Sequence, residues 1–205
     1  MTAIVAHRGA SSEAPENTPA AFERAIELGA DIIEFDVRRD RDHTLVISHD
    51  PVRGLGLDLP TFEETLRLAA GRIRLDVELK ELDCEREAID LLLRYLPLSD
   101  FSITSFLAPV LSELRAINPA IRRGLIFAGW NETVRTECLG PDVDFLVAHY
   151  RLLDEAEKIG KPVFVWTVDD PAYTRWLFGR PAVEAIVTNN PRQALALRAE
   201  TRAVG

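Results

Sequence analysis

Ile4-Val-Ala-His7 runs straight into Arg8-Gly9, and beyond a helical stretch at Thr18–Leu28 the chain resumes as Gly29-Ala-Asp-Ile-Ile-Glu-Phe-Asp-Val37. Two short apolar runs of strand length enclose one amphipathic helix, which reads as a β–α–β unit. The same alternation continues to the end of the chain. Further strands are predicted at Ile73–Leu79, Phe101–Ser105, Arg123–Phe127, Phe145–His149, Pro162–Val168 and Glu184–Thr188, after Ile4–His7 and Ile32–Val37. Helices are predicted at Thr61–Ala69, Glu85–Leu96, Pro109–Ile117, Glu132–Cys138, Leu153–Ile159, Pro171–Leu177 and Arg192–Ala199. Asn17 or Thr18 precedes the first helix and Gly29 follows it, while Asp170-Pro171 and Asn190-Pro191 place proline in the first turn of two later helices. Eight strand–helix units without a break favour an α/β fold of the closed (β/α)₈ TIM-barrel kind over an open doubly wound sheet. Thr44–His49 also has strand character; it is expected as an extra short strand outside the barrel count.

Composition narrows the function classes. The 205 residues are 47% hydrophobic, enough for one large core, and a single domain spanning 1–205 is expected. Against 33 acidic residues stand 24 Lys and Arg, a formal charge of −9 that offers no long-range attraction to nucleic acid or an anionic membrane. An anionic substrate must therefore be attracted locally. Cys84 and Cys138, the two cysteines, suggest inert thiols and no disulfide framework. With no signal-peptide pattern and no long apolar run, a cytoplasmic protein without stable membrane association is expected.

Strand alternation indicates which side chains face the barrel interior. In Ile73-Arg-Leu-Asp-Val-Glu-Leu-Lys80 the apolar positions face the helices, so Arg74, Asp76, Glu78 and Lys80 point inward; in Ile32–Val37 the same rule turns Glu34 and Asp36 inward. Buried charges are costly unless paired or bound to metal. Glu34, Asp36 and Glu78 form an oxygen-only set suited to one divalent cation, Mg²⁺ or Ca²⁺. An internal ion-pair network with Arg38, Arg74 and Lys80 accounts for them equally well. His7 and His49 each end an apolar run, and two imidazoles can serve as general acid and general base near neutral pH. Arg8 offers forked donors for a phosphate oxygen, or is a surface arginine in a turn. Ser105 is placed to donate to a ligand or to cap the following helix. Trp166 walls a pocket or fills the core. His149 ends a strand, His43 is expected in solvent, and Glu16 and Asn17 are read as capping residues, Glu16 within reach of the site. There is no Gly-x-Ser-x-Gly elbow, glycine-rich phosphate loop or zinc cluster.

The order His7-Arg-Gly, Pro15-Glu-Asn-Thr-Pro-Ala-Ala-Phe22, Gly29–Val37 and His49-Asp-Pro51 resembles glycerophosphodiester phosphodiesterases. The likeness continues through Val77-Glu-Leu-Lys80, Thr104-Ser-Phe106, Val165-Trp-Thr-Val168 and Ile186-Val-Thr188. It implies a TIM barrel of the phospholipase-C-like phosphodiesterase type and hydrolysis of a small-molecule phosphodiester to glycerol 3-phosphate and an alcohol. The resemblance also implies that His7 and His49 are the acid–base pair, that Glu34, Asp36 and Glu78 bind the cation, and that Arg8 and Lys80 contact phosphate, with Ser105 and Trp166 at pocket positions. The metal-assisted scheme has the glycerol hydroxyl attack phosphorus to give a cyclic phosphate that water then opens. Two departures from the family pattern stand out: only Val52–Pro60 separates His49-Asp-Pro51 from the next helix, implying an open site, and Thr188-Asn-Asn190 replaces a usual Thr-Asp. A lysophospholipase D-type activity and a non-catalytic barrel binding phosphorylated metabolites are the alternatives.

Overall fold

The computed structural model describes residues 1–52 and 58–204. Its centre is a barrel of eight parallel strands: β1 (Ala3–His7), β2 (Ile32–Arg39), β4 (Arg74–Leu79), β5 (Phe101–Ser105), β6 (Arg123–Phe127), β7 (Phe145–His149), β8 (Val163–Trp166) and β9 (Val183–Thr188). Closure comes from β1, which pairs with β2 on one side and β9 on the other. The remaining strand, β3 (Leu45–Ile47), folds back antiparallel on the end of β2 with Val37 opposite Ile47. It is the extra strand expected at Thr44–His49, and it carries the chain back toward the barrel rim.

Helices α1 (Pro19–Leu28), α2 (Phe62–Ala69), α3 (Glu85–Tyr95), α4 (Ala108–Ile117), α5 (Glu132–Leu139), α6 (Leu153–Glu157), α7 (Pro171–Leu177) and α8 (Pro191–Val204) follow the barrel strands in turn. Their apolar faces meet the outward side chains of the strands. Phe22 of α1 and Phe62 of α2 both pack on Phe35 of β2, with ring centroids 5.6 and 6.0 Å apart. Burying each such ring stabilises the fold by roughly 2–3 kcal/mol. Thr18, not Asn17, caps α1 by accepting from the Ala21 N–H; Asp170 and Asn190 cap the last two helices as their Asx-Pro sequences predict.

Register decides where the inward residues meet. His7 lies opposite Glu34, Glu34 opposite Asp76, and Asp36 opposite Glu78. Below that level the lumen is filled by Phe145 and Phe164, 4.6 Å apart, with Val5, Ile126 and Val187 around them. The Arg122 guanidinium covers Phe145 at 4.6 Å and is held by Glu184 through two bonds of 2.7 and 2.6 Å. The floor is thus closed, and the open end is the rim at the C-terminal ends of the strands, where barrel chemistry resides. Two inward expectations need correction. Arg74, at the far end of β4, is exposed, and Arg38 turns to the His49 carbonyl and Glu81, so neither joins an internal network. Of the expected Val52–Pro60 connection, residues 53–57 lie outside the described residues.

Candidate active site

The turn after β1 supplies the first side chains. Arg8 and Gly9 both have positive φ, 55° and 83°, and a side-chain carbon at Gly9 would come within 2.7 Å of the Ala21 backbone. Glycine lets the turn press against α1, while the left-handed Arg8 is a strained residue held by its surroundings. Its N–H donates to Glu34 Oε2 at 3.0 Å, its Nη1 to Glu16 Oε1 at 2.8 Å, and its Nε lies 3.2 Å from Asp36 Oδ2. Asn17, also left-handed at φ 57°, donates through Nδ2 to Asp36 Oδ2 at 2.8 Å. Glu16 and Asn17 are therefore not caps: one braces Arg8 and the other braces Asp36.

Glu34, Asp36 and Glu78 come together as the alternation predicts, all buried, each offering an oxygen within 4.8 Å of the others. Lys80 reaches into the cluster, 2.6 Å from Glu78 Oε1 and 3.2 Å from Asp36 Oδ1. Burial, then the charges of Asp36 and Glu78, raises Glu34 well above the usual carboxylate range. Glu78 is pushed up to about 7 by burial and by Asp36. For Asp36 burial acts the same way, but Lys80, Asn17 and Arg8 outweigh it and hold the group below its ordinary value. Three carboxylates this close cannot all stay ionised beside two cations, so the cluster has more acceptor capacity than the protein itself satisfies. Asp36 Oδ1 and Glu78 Oε1 are buried and are met by the Lys80 ammonium alone, without a hydrogen bond of good geometry, which leaves both able to accept a hard divalent ion.

His7 lies against the cluster, with Nε2 4.0 Å from Glu34 Oε2 and Nδ1 2.7 Å from Asn189 Oδ1. Burial, with Arg8 adding to it, lowers its pKa against the opposing Asn189 bond. His49 is more exposed, and its Nδ1 lies 3.0 Å from Asp50 Oδ1. The two histidines line one pocket together with Arg8, Glu34, Glu78 and Lys80. Its other wall is apolar: Phe106, Ile126, Val147, Trp166 and Val187. Trp166 meets Phe106 edge-on at 5.5 Å and donates its Nε1–H to the Val147 carbonyl at 3.0 Å.

Ser105 does not line this pocket. It is fully buried, donating to the Leu79 carbonyl at 2.7 Å and accepting from Leu107 N–H at 3.0 Å, so it ties the ends of β4 and β5 together. His149 stacks edge-on against Trp166 behind the wall, and His43 is exposed. Phe106, Asn17 and Asn189 are pocket or supporting residues not assigned to the site from sequence. Asn17 stands inside the Pro-Glu-Asn-Thr run and Asn189 at the Thr-Asn-Asn departure, so both carried a signal. A larger cleft lined by Met1, Lys161, Arg180 and Arg198 is at the opposite end of the barrel, where Arg180 is committed to Glu157 and Arg198 to Asp31.

Residues 7–82 match the model of the glycerophosphoryl diester phosphodiesterase family. A Caldanaerobacter subterraneus protein named glycerophosphodiester phosphodiesterase is 28% identical, over 96% of this chain and 97% of that one. The crystal structure of a glycerophosphodiester phosphodiesterase from Parabacteroides distasonis, 25% identical, covers 98% of both chains with a TM-score of 0.80. An Oleispira antarctica phosphodiesterase solved in complex with its product sn-glycerol-3-phosphate shares the fold at a TM-score of 0.83 and 22% identity, over 97% of each chain. The matched stretch contains His7, Arg8, Glu34, Asp36, His49, Glu78 and Lys80, the polar side of the pocket, and over nearly its whole length the chain is similar to proteins named glycerophosphodiester phosphodiesterase.

Proposed function

We propose that the chain is an enzyme that hydrolyses glycerophosphodiesters to glycerol 3-phosphate and an alcohol. The observation that carries this reading is the convergence, at one barrel rim, of two histidines, a buried three-carboxylate cluster and two cations. Full-length relatives named for the activity support it. Glu34, Asp36 and Glu78 would hold one divalent cation, Mg²⁺ or Ca²⁺. Bound there, the ion would supply Lewis-acid stabilisation of charge on the phosphate and on the attacking oxygen.

The side chains supply the rest. Arg8 and Lys80 bring positive charge to the phosphate, offsetting the acidity of the molecule as a whole. Asp36 and Glu16 hold Arg8, and Asp36 and Glu78 hold Lys80, so neither cation must be ordered when substrate arrives. One histidine accepts the proton of the glycerol hydroxyl as it attacks phosphorus, and the other protonates the departing alcohol. Water opens the resulting cyclic phosphate with the two roles exchanged. Phe106 and Trp166 offer an apolar face to the carbon skeleton and exclude water from that side.

Exposed Phe106 and Leu107 beside the pocket favour a second reading, in which the substrate is a lysophospholipid and its chain lies over these residues. One assay separates the two. Glycerol 3-phosphate release from glycerophosphocholine and glycerophosphoethanolamine is followed with Mg²⁺, Ca²⁺ or EDTA, beside choline release from lysophosphatidylcholine. Metal-dependent release of glycerol 3-phosphate is expected. Release from the lysolipid alone would replace that reading with the second, and no release from any substrate by a folded, metal-binding protein would favour a phosphometabolite-binding barrel.

A further inference from the structure

Asn189 connects His7 to a carboxylate on a different loop, and the direction of every bond in that connection can be worked out. Asp169 Oδ1 accepts from Thr188 Oγ1 and from the Asn189 backbone N–H, both at 2.8 Å. The Thr188 hydroxyl accepts in turn from the Asn190 N–H at 3.1 Å, which leaves its own hydrogen for Asp169. Asp169 Oδ2 lies 2.6 Å from the Asn189 side-chain Nδ2. Only the amide NH₂ can face that oxygen, because a flipped amide would set two acceptors against each other at contact distance. Asn189 Oδ1 must then face and accept from His7 Nδ1, 2.7 Å away, while the single hydrogen of the Ser11 hydroxyl has that oxygen at 3.1 Å and the His7 carbonyl at 3.0 Å as its two acceptors. An acceptor at Nδ1 requires that nitrogen to carry hydrogen. In the neutral ring the lone pair is therefore on Nε2, the nitrogen on the Glu34 side.

We propose that Asn189, oriented by Asp169, is a positioning residue that holds His7 in the Nδ1–H tautomer and so makes His7 the proton acceptor of the first step, leaving His49 as the donor. The role in turnover rests on the phosphodiesterase reading above; the tautomer does not. The protons balance over the cycle. The glycerol O–H proton moves to His7 Nε2 as that oxygen bonds to phosphorus, the P–O bond to the alcohol breaks with its electron pair on the alcohol oxygen, and protonated His49 supplies the hydrogen. In the second step neutral His49 takes a proton from water as the water oxygen bonds to phosphorus, the ring P–O bond breaks with its electron pair on the glycerol oxygen, and His7 returns its proton to that oxygen. Because the direct partner is a neutral amide, the ring is aligned without a carboxylate against it, and the charge of Asp169 stays one side chain away.

Asp169→Asn tests this without altering anything in contact with His7. The new carboxamide must keep its oxygen toward the Thr188 and Asn189 donors, so its NH₂ faces the Asn189 amide, which rotates and presents its own NH₂ to His7. Long-range ¹H–¹⁵N spectra of the imidazole-labelled full chain should show Nδ1–H in the wild type and Nε2–H in Asp169→Asn. Turnover should fall by about 10²–10⁴-fold, the cost of a base in the wrong tautomer, with KM little changed. Should Asp169→Asn fail to fold, Asn189→Leu provides the same test by losing the Nδ1–H preference together with kcat. An Nε2–H ring in the wild type overturns the proposal, as does Nδ1–H retained in the variants. A wild-type chain with Nδ1–H that hydrolyses no glycerophosphodiester overturns instead the reaction proposed above, and leaves the hold of Asn189 on the ring standing.

Discussion

His49 is held at the pocket mouth by short-range contacts alone. Its carbonyl accepts from Arg38 Nε at 2.8 Å, its Nδ1 lies beside Asp50, and its ring remains well exposed. Its removal should thus leave packing untouched, in contrast to His7, which sits between Glu34 and Asn189. His49→Ala is expected to keep the wild-type melting temperature and to lose about 10²–10⁴-fold in kcat toward glycerophosphocholine. If its part is to protonate the leaving alcohol, the loss should largely vanish with an aryl phosphodiester, whose leaving group departs without a proton. An equal loss for both substrates would remove His49 from the donor role. A fully active variant would remove it from the chemistry altogether.

At the scale of elements, the strands bring the site together by register, and one glycine shows how little slack the lumen has. A side-chain carbon at Gly124 of β6 would stand 2.5 Å from the Phe145 ring and 2.8 Å from Thr104 Cγ2. Phe145 cannot yield easily, because Phe164 and the Arg122 guanidinium pack against it. Gly124→Ala should destabilise the protein by about 1–3 kcal/mol, the usual cost of overpacking, with kcat per folded molecule unchanged because the floor lies below the chemistry. A denaturation midpoint equal to the wild type would show that the lumen can relax. Such tightness also marks what was readable beforehand. Alternation over six or eight residues is a local signal, so the eight strands, the outlying β3 and the inward Glu34, Asp36 and Glu78 were all legible. The expected strand Pro162–Val168 ends instead at Trp166, and α8 continues past Ala199 to Val204, since element ends depend on neighbours more than on pattern. Asn17 was misread because its partner, Asp36, stands on the neighbouring strand β2, nineteen residues on; the pairing of His7 with Asn189 exists only once β1 closes against β9. Arg74 has the inward parity of β4, but parity does not say at which depth a side chain stops, and this one reaches the far rim.

Over the whole molecule the charges fall into two levels, a catalytic rim and a structural floor, and Asp76 of β4 sits between them. It is fully buried, accepts from Ser102 Oγ at 2.7 Å, and has the Arg122 charge nearby, although that guanidinium is already bound by Glu184. Burial therefore dominates and pushes its carboxyl from 3.8 up to about 7. The folded chain then holds a proton that the unfolded chain releases near 3.8, so this group's contribution to stability is intact in acid and is lost as pH rises toward and through 7. At about 1.4 kcal/mol per pH unit, a span of about three units corresponds to a loss of roughly 4 kcal/mol. Asp76→Asn keeps the shape and cannot ionise. In chelator, to keep the carboxylate cluster free of metal, the stability of the variant relative to the wild type should grow between pH 5 and pH 7 and level off by pH 8. Glu34 reinforces the effect, because the Asp76 charge is one of those that raise it, so the variant also eases ionisation at the rim. A stability difference that stays constant from pH 5 to pH 8 would mean that Asp76 is ionised throughout, with Ser102 and Arg122 compensating its burial. A difference that opens across neutral pH would instead place its proton inside the folded barrel.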